Sequence, residues 1–165
     1  VVRKGLAIIV VCSTMSVARA DDAVHATTEA PPSRHLVYGE LFGKAGAYGL
    51  GYELTIAPRL ALGGVASFVS VRGQQIATLS PYVHATLIKR GKHALFGELG
   101  AVLVHSRIPS PVDDWNGMSE SGGGGVAAVG WERASRHLVV RAQGSVLVGE
   151  GGAAPWGGLA IGVRP

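Results

Sequence analysis

The sequence predicts an all-β protein, an eight-stranded antiparallel up-and-down β-barrel that follows a cleaved leader. Three observations predict it. The chain holds 25 glycines in 165 residues, and each glycine inside a helix costs roughly 1 kcal/mol relative to alanine. Beyond residue 35 the apolar residues alternate with small or polar ones in short runs broken by turn residues, the period of a strand with two different faces. Charged residues make up only 16% of the chain and apolar ones 47%, a balance that excludes a disordered polymer.

The N-terminal residues are set apart first. Arg3 and Lys4 precede the apolar run 6–11, and Ala18-Arg19-Ala20 offers a small-x-small cleavage site before Asp21 and Asp22. This is the pattern of a secretory signal peptide over 1–20, and the run is far below the about 20 residues a spanning helix needs. Loss of Arg3, Lys4 and Arg19 with it lowers the formal net charge from +4 to +1, so the basic balance gives no support for nucleic-acid binding. Cys12, the single cysteine, goes with the leader, which leaves the mature chain without disulfide or thiolate metal chemistry. Residues 21–34 are polar, with Pro31-Pro32-Ser33 at their end, and read as a flexible lead-in to a barrel domain over 35–165.

Strands are expected at 36–43, 47–56, 60–72, 76–88, 94–105, 123–133, 138–148 and 156–164. Most approach the 9–11 residues of a tilted membrane-crossing strand rather than the five or six of a soluble domain. The connections 57–59, 89–93 and 134–137 are short and basic. Those at 44–46, 73–75, 106–122 and 149–155 vary in length, and the longest carries Asp113, Asp114, Trp115 and Glu120. Such alternation is expected of a barrel with short turns on one side and display loops on the other.

The faces decide between water and lipid. In the second strand Tyr48, Leu50, Tyr52, Leu54 and Ile56 oppose Gly49, Gly51, Glu53 and Thr55. In the fourth, Leu79, Pro81, Val83 and Leu87 oppose Ser80, Tyr82, His84 and Thr86. In the fifth, Leu95, Leu99 and Leu103 oppose Glu98, and in the seventh Leu138, Val140 and Val146 oppose Arg141, Gln143 and Ser145. A soluble barrel turns its apolar face inward and scatters lysines outside, yet Lys44, Lys89 and Lys92 all fall in turns. The apolar faces are therefore expected to meet hydrocarbon, and the polar faces to fill a narrow lumen. Gly49, Gly51, Gly64, Gly100, Gly124, Gly130, Gly158 and Gly162 are expected on inward or ambiguous faces, leaving room for large neighbours and allowing local bending. Tyr48, Tyr52, Trp131 and Trp156 are expected to form an interfacial girdle.

On strand number, two-residue alternation, turn placement and leader, the chain resembles the small eight-stranded outer-membrane barrels of the OmpA/OmpX type over about 35–165. The resemblance implies a porin-like barrel in a bacterial outer membrane, with membrane lipid as its partner and with loop 106–122 displayed to an extracellular partner. It departs from the pattern at three places: the chain ends Val163-Arg164-Pro165 where members commonly end in an aromatic residue; Pro81 stands in mid-strand, where a bulge would accommodate it; and the apolar pattern of the third strand changes phase near Gly63-Gly64.

The strongest constellation is an interior charge cluster of Glu40, Glu53, Glu98, Glu132, Arg141, His84 and Tyr82, with Arg141 expected to pair with at least one glutamate. It reads first as a salt-bridged plug and second as a conducting path or gate. Ser80, His84 and Glu98 contain the residue types of a lipid hydrolase, but no oxyanion hole or motif accompanies them, so no catalytic residues are assigned. The run Gly122–Gly125 lacks the Lys-Ser/Thr of a phosphate cradle. The histidines have no metal spacing, and Asp113, Asp114 and Glu120 read as a solvated loop; no cofactor or metal is expected. The function expected is structural or interactive. The alternatives are a soluble lipocalin-like carrier with inverted faces, a lipid-modifying enzyme and a narrow channel.

Overall fold

The computed structural model describes residues 33–71, 73–108 and 118–165. Among these, eight strands close into an antiparallel barrel in chain order: β1 (His35–Gly43), β2 (Gly46–Ala57), β3 (Leu60–Val71), β4 (Gln74–Arg90), β5 (His93–Ile108), β6 (Met118–Ala134), β7 (Leu138–Gly149) and β8 (Gly152–Val163). The proposed leader and most of the lead-in lie outside the described residues. Arg34 already belongs to the sheet, accepting from the Thr55 N–H at 2.8 Å.

Closure turns one face of every strand away from the lumen. Leu50, Leu79, Leu99, Val140 and Leu159 are exposed, Leu99 at 68%, while Glu98 and Arg141 are buried at 3%. This is the reverse of the arrangement a lipocalin-like barrel would need. The core lies inside, where Leu36, Tyr38, Val65, Tyr82 and Val139 pack together.

Three aromatic rings fill the lumen by lying over glycines directly across the ladder: Tyr38 over Gly51, Tyr82 over Gly63 and Phe96 over Gly130. A Cβ at any of these glycines would overlap the ring. A glycine weakens a strand by itself, and here the ring supplies the missing contact. Gly51→Ala is expected to destabilise the barrel by about 1–3 kcal/mol, the range for overpacking, and Tyr38→Leu in the same chain should restore most of it. A urea titration of the detergent-folded protein measures both.

Several expectations are corrected. β5 and β6 continue their ladder to Ile108↔Met118, so the long connection narrows to 109–117. Glu120 stands in β6 opposite Ser106, not in the loop. The run Gly122–Gly125 is paired strand, because neighbouring strands supply the hydrogen bonds whatever the side chain. The ladder of β3 does not slip at Gly63-Gly64: Gly63 faces inward and Gly64 outward, and the change of pattern arises because the inward Val65 is a core residue, 1% exposed. Pro81 needs no bulge either. The β4–β5 register is the same on both sides of it, Leu79↔Leu103 and Tyr82↔Gly100. Ser80 Oγ donates to Ala101 O at 2.8 Å at that level, which satisfies a carbonyl beside the missing donor. The irregularities fall instead near the turns, at Thr55/Ala57 and Thr86/Ile88.

A charge network across the lumen

Seven inward side chains from six strands meet in the lower half of the lumen, the half nearer the short turns. Glu40 comes from β1, Glu53 from β2, Tyr82 and His84 from β4, Glu98 from β5, Glu132 from β6 and Arg141 from β7, and each is buried. Arg141 is their hub. Its Nη1 and Nη2 donate to Glu53 Oε2 and Oε1 at 2.7 and 2.9 Å, the planar two-bond pairing that guanidinium alone among side chains provides. Its Nε donates to Glu132 Oε2 at 2.7 Å, and Glu132 is its direct neighbour across the ladder. Glu132 also approaches Arg164 at 3.7 Å.

The other branch begins at His84, whose Nδ1 lies 3.1 Å from Glu98 Oε1. A carboxylate only accepts, so this nitrogen carries the proton. The imidazole stacks on Phe96 with centroids 4.8 Å apart. The Tyr82 hydroxyl donates to Glu53 at 3.1 Å and therefore receives the Tyr38 hydroxyl at 2.8 Å.

Lys44 closes the network from above. It sits in the turn between β1 and β2, as its sequence position implies, but its side chain enters the lumen and is 3% exposed. Its Nζ donates to Glu98 at 2.7 Å, to Glu40 at 3.3 Å and to Gln143 at 3.4 Å, and it lies 4.4 Å from the centre of the Tyr82 ring. Gln143 Nε2 in turn donates to Glu40 at 2.6 Å. The turn reaches inward because Phe42 adopts a left-handed φ of 51° and Gly46 one of 103°, the second a conformation natural to glycine. Lys44, Tyr38, Gln143 and Arg164 were not in the expected cluster. The available signal was the brevity of β1, which brings its turn down to mid-lumen.

The chemistry open to this arrangement is electrostatic. Glu53, His84 and Glu98 bring three potential ligand atoms within 4.8 Å of one another. Arg141 Nη1 already stands 2.7 Å from Glu53 Oε2 and 4.0 Å from Glu98 Oε1, so the guanidinium supplies the positive charge an ion would bring. Ser80 is not joined to His84: they are four residues apart on one strand, about 13 Å at the rise of a strand, and the Ser80 hydroxyl is spent on Ala101 O. Below the network a cavity of about 170 Å³ opens among Arg59, Lys89, Lys92 and Arg164, so the short-turn end is cationic.

The remaining expected residues are placed as follows. Tyr48, Tyr52 and Trp131 occupy outward positions and are half exposed; Trp131 stacks on His93 at 5.5 Å. Trp156 is opposite Ser145, whose side chain is buried, so its register position is on the lumen side and not in the outward girdle. Asp113, Asp114 and Trp115 lie outside the described residues.

No protein-family model matches the chain, and no curated protein does. Solved structures do. The N-terminal β-barrel domain of Pseudomonas aeruginosa OprF matches over 82% of this chain and 100% of that domain, with a TM-score of 0.58 and 15% identity. The fold is that of a small known barrel. Ail, the attachment invasion locus protein of Yersinia pestis, matches over 79% of this chain and 95% of its own, at a TM-score of 0.54 and 14% identity. Its complex with the heparin analogue sucrose octasulfate gives 0.53 and 13%. The likeness is one of architecture.

Proposed function

We propose that this chain is an outer-membrane β-barrel with a structural and interactive role: its lower lumen is sealed by the charge network, and it displays its longer connection, 109–117, to the outside. The observation that carries this reading is the sorting of side chains by the wall. Outward positions bear Leu50, Leu79, Leu99 and Leu159, exposed, while four glutamates and Arg141 are buried within. Hydrocarbon is the solvent that stabilises such a surface, and in the lower half the ladder closes around all eight strands and satisfies the backbone there. Apolar outward residues of this size in water would form a patch far beyond those of soluble monomers.

The seal favours a plug over a pore. Arg141 spans the lumen from β7 to β2, and Lys44 spans it from the β1–β2 turn to β5. The cationic short-turn end faces the periplasm in this reading, with anionic lipid headgroups as its neighbours.

Fractionation tests the proposal. The mature protein is expected to stay with membranes through carbonate and urea washing and to migrate faster on a gel before boiling than after. Release into the wash would overturn the lipid-facing assignment. Planar-bilayer recording should show no ion conductance from the folded protein; steady single-channel steps would replace the plug with a channel.

A further inference from the structure

The upper half of the lumen differs from the lower. β1 pairs with β8 only as far as Leu41↔Leu159, and β2 with β3 only as far as Leu50↔Ala66. β3 continues to Val71 and β8 begins at Gly152. Residues 67–71 and 152–158 therefore have ladder partners on one side only, and the wall above the short hairpin consists of six strands with a gap. The hairpin tip has turned inward to become the floor: Ala45 is buried, Ser67 Oγ donates to Ala45 O at 2.6 Å, and Gly158 lies so near Gly43 that a Cβ there would approach its Cα to 2.7 Å.

Above this floor the inner surface is apolar along β5 to β8, where Val102, Val104 and Leu147 stand at inward positions beside Gly122, Gly124 and Ala154. On the facing wall Val69 and Ile76 alternate with Ser67 and Thr78, and Gln74, Ser106 and Glu120 lie at the rim. A cavity of about 440 Å³ opens between Val102, Val104, Gly122, Gly124, Leu147 and Ala154. The lips of the gap are equally apolar: Leu41, Phe42, Phe68 and Leu159 are all more than half exposed. Its open edges are partly muted, since Pro155 has no N–H to leave bare and the Tyr48 hydroxyl donates to Phe68 O at 2.6 Å.

We infer that this upper half is a trough that receives a hydrocarbon chain of a membrane lipid through the gap between β8 and β3. The inference rests on the membrane reading above. At the height of the apolar belt the neighbour outside the gap is lipid, and the surface is continuous from the outer lips to the inner valines. Along the β5–β7 side water would be the costlier occupant, because Val102, Val104 and Leu147 offer it no hydrogen-bond partner, and across from them the Ser67 hydroxyl is already spent on Ala45 O.

Fluorescence quenching tests this on the full mature chain in phosphatidylcholine vesicles whose acyl chains carry bromine. One protein keeps Trp131 alone, with Trp115→Phe and Trp156→Phe; it reports on the outward face. A second adds Trp131→Phe and Leu147→Trp to report on the trough, with Val102→Trp as the substitute should the first reporter not fold. Brominated chains are expected to quench the trough reporter as strongly as Trp131, with aqueous iodide quenching neither. Gly122→Phe, a substitution into open space, is expected to lower the trough quenching and leave Trp131 unchanged. Quenching of the trough reporter by iodide, with Trp131 still quenched by bromine, would show a water-filled trough and overturn the inference alone, as would Gly122→Phe without effect. If Trp131 itself escapes the brominated chains, the membrane reading falls.

Discussion

Arg141→Ala is expected to cost the barrel about 3–5 kcal/mol, the largest loss of any single change considered, because it leaves buried carboxylates without their cation. Glu53 loses both bonds of its bidentate pair and Glu132 its 2.7 Å partner, and all three side chains are buried at the head of the short-turn cavity. The remaining cations are badly placed to compensate: Lys44 is committed to Glu98 and Glu40, and Arg164 stands 3.7 Å from Glu132 on its other oxygen. Urea titration in detergent, followed by the gel shift between folded and boiled protein, measures the loss. The charge-free triple change Arg141→Leu, Glu53→Gln and Glu132→Gln should recover much of it, because the damage lies in unpaired charge and not in lost shape. A loss below about 1 kcal/mol, the worth of a solvent-screened pair, would mean that water reaches the network.

Leu99→Arg is expected to cost about 2–4 kcal/mol if hydrocarbon surrounds the wall, the penalty for a cation on the lipid face at mid-depth. Leu99 is the middle of the outward series Leu95, Leu99 and Leu103 on β5 and is 68% exposed. In water the same change at so exposed a site would be close to neutral, so the sign of the answer discriminates between solvents. The measurement is the folded fraction in vesicles across urea, with Leu138→Arg, at the short-turn end of β7 and also exposed, expected to lose less. Equal tolerance at both positions would argue for a soluble barrel.

The sequence made the barrel legible because two-residue alternation and turn residues are local signals. All eight strands appear where alternation placed them, with ends extended where a neighbour rather than the side chains provided the bonds. Gly122–Gly125 illustrates the limit: glycine reads as loop, yet the ladder to β5 holds it as strand. Glu132 and Arg141 are also a local pairing, fixed by counting back from the turn at 135–137. The partnership of Arg141 with Glu53 was not legible to that depth, since it depends on which strands face one another after closure. Lys44 was hidden for a different reason. Its neighbours Gly43, Ala45 and Gly46 mark a turn, and turns are ordinarily at the surface; only the low position of this hairpin carries the ammonium into the lumen. The valines of the upper lumen were read as a disturbed strand because the interior was expected to be polar throughout.

The bonds that join the two ends of the chain have an effect on assembly. Gln143 meets Glu40 across 103 residues of sequence and Arg141 meets Glu53 across 88, so neither pair exists until β8 zips to β1 by its five register positions. An unclosed sheet entering a bilayer presents bare carboxylates to oil, an expensive intermediate. If the barrel is membrane-embedded as proposed, insertion and final zippering are tied into one cooperative event, and the electrostatic latch rewards only the chain that completes the circle.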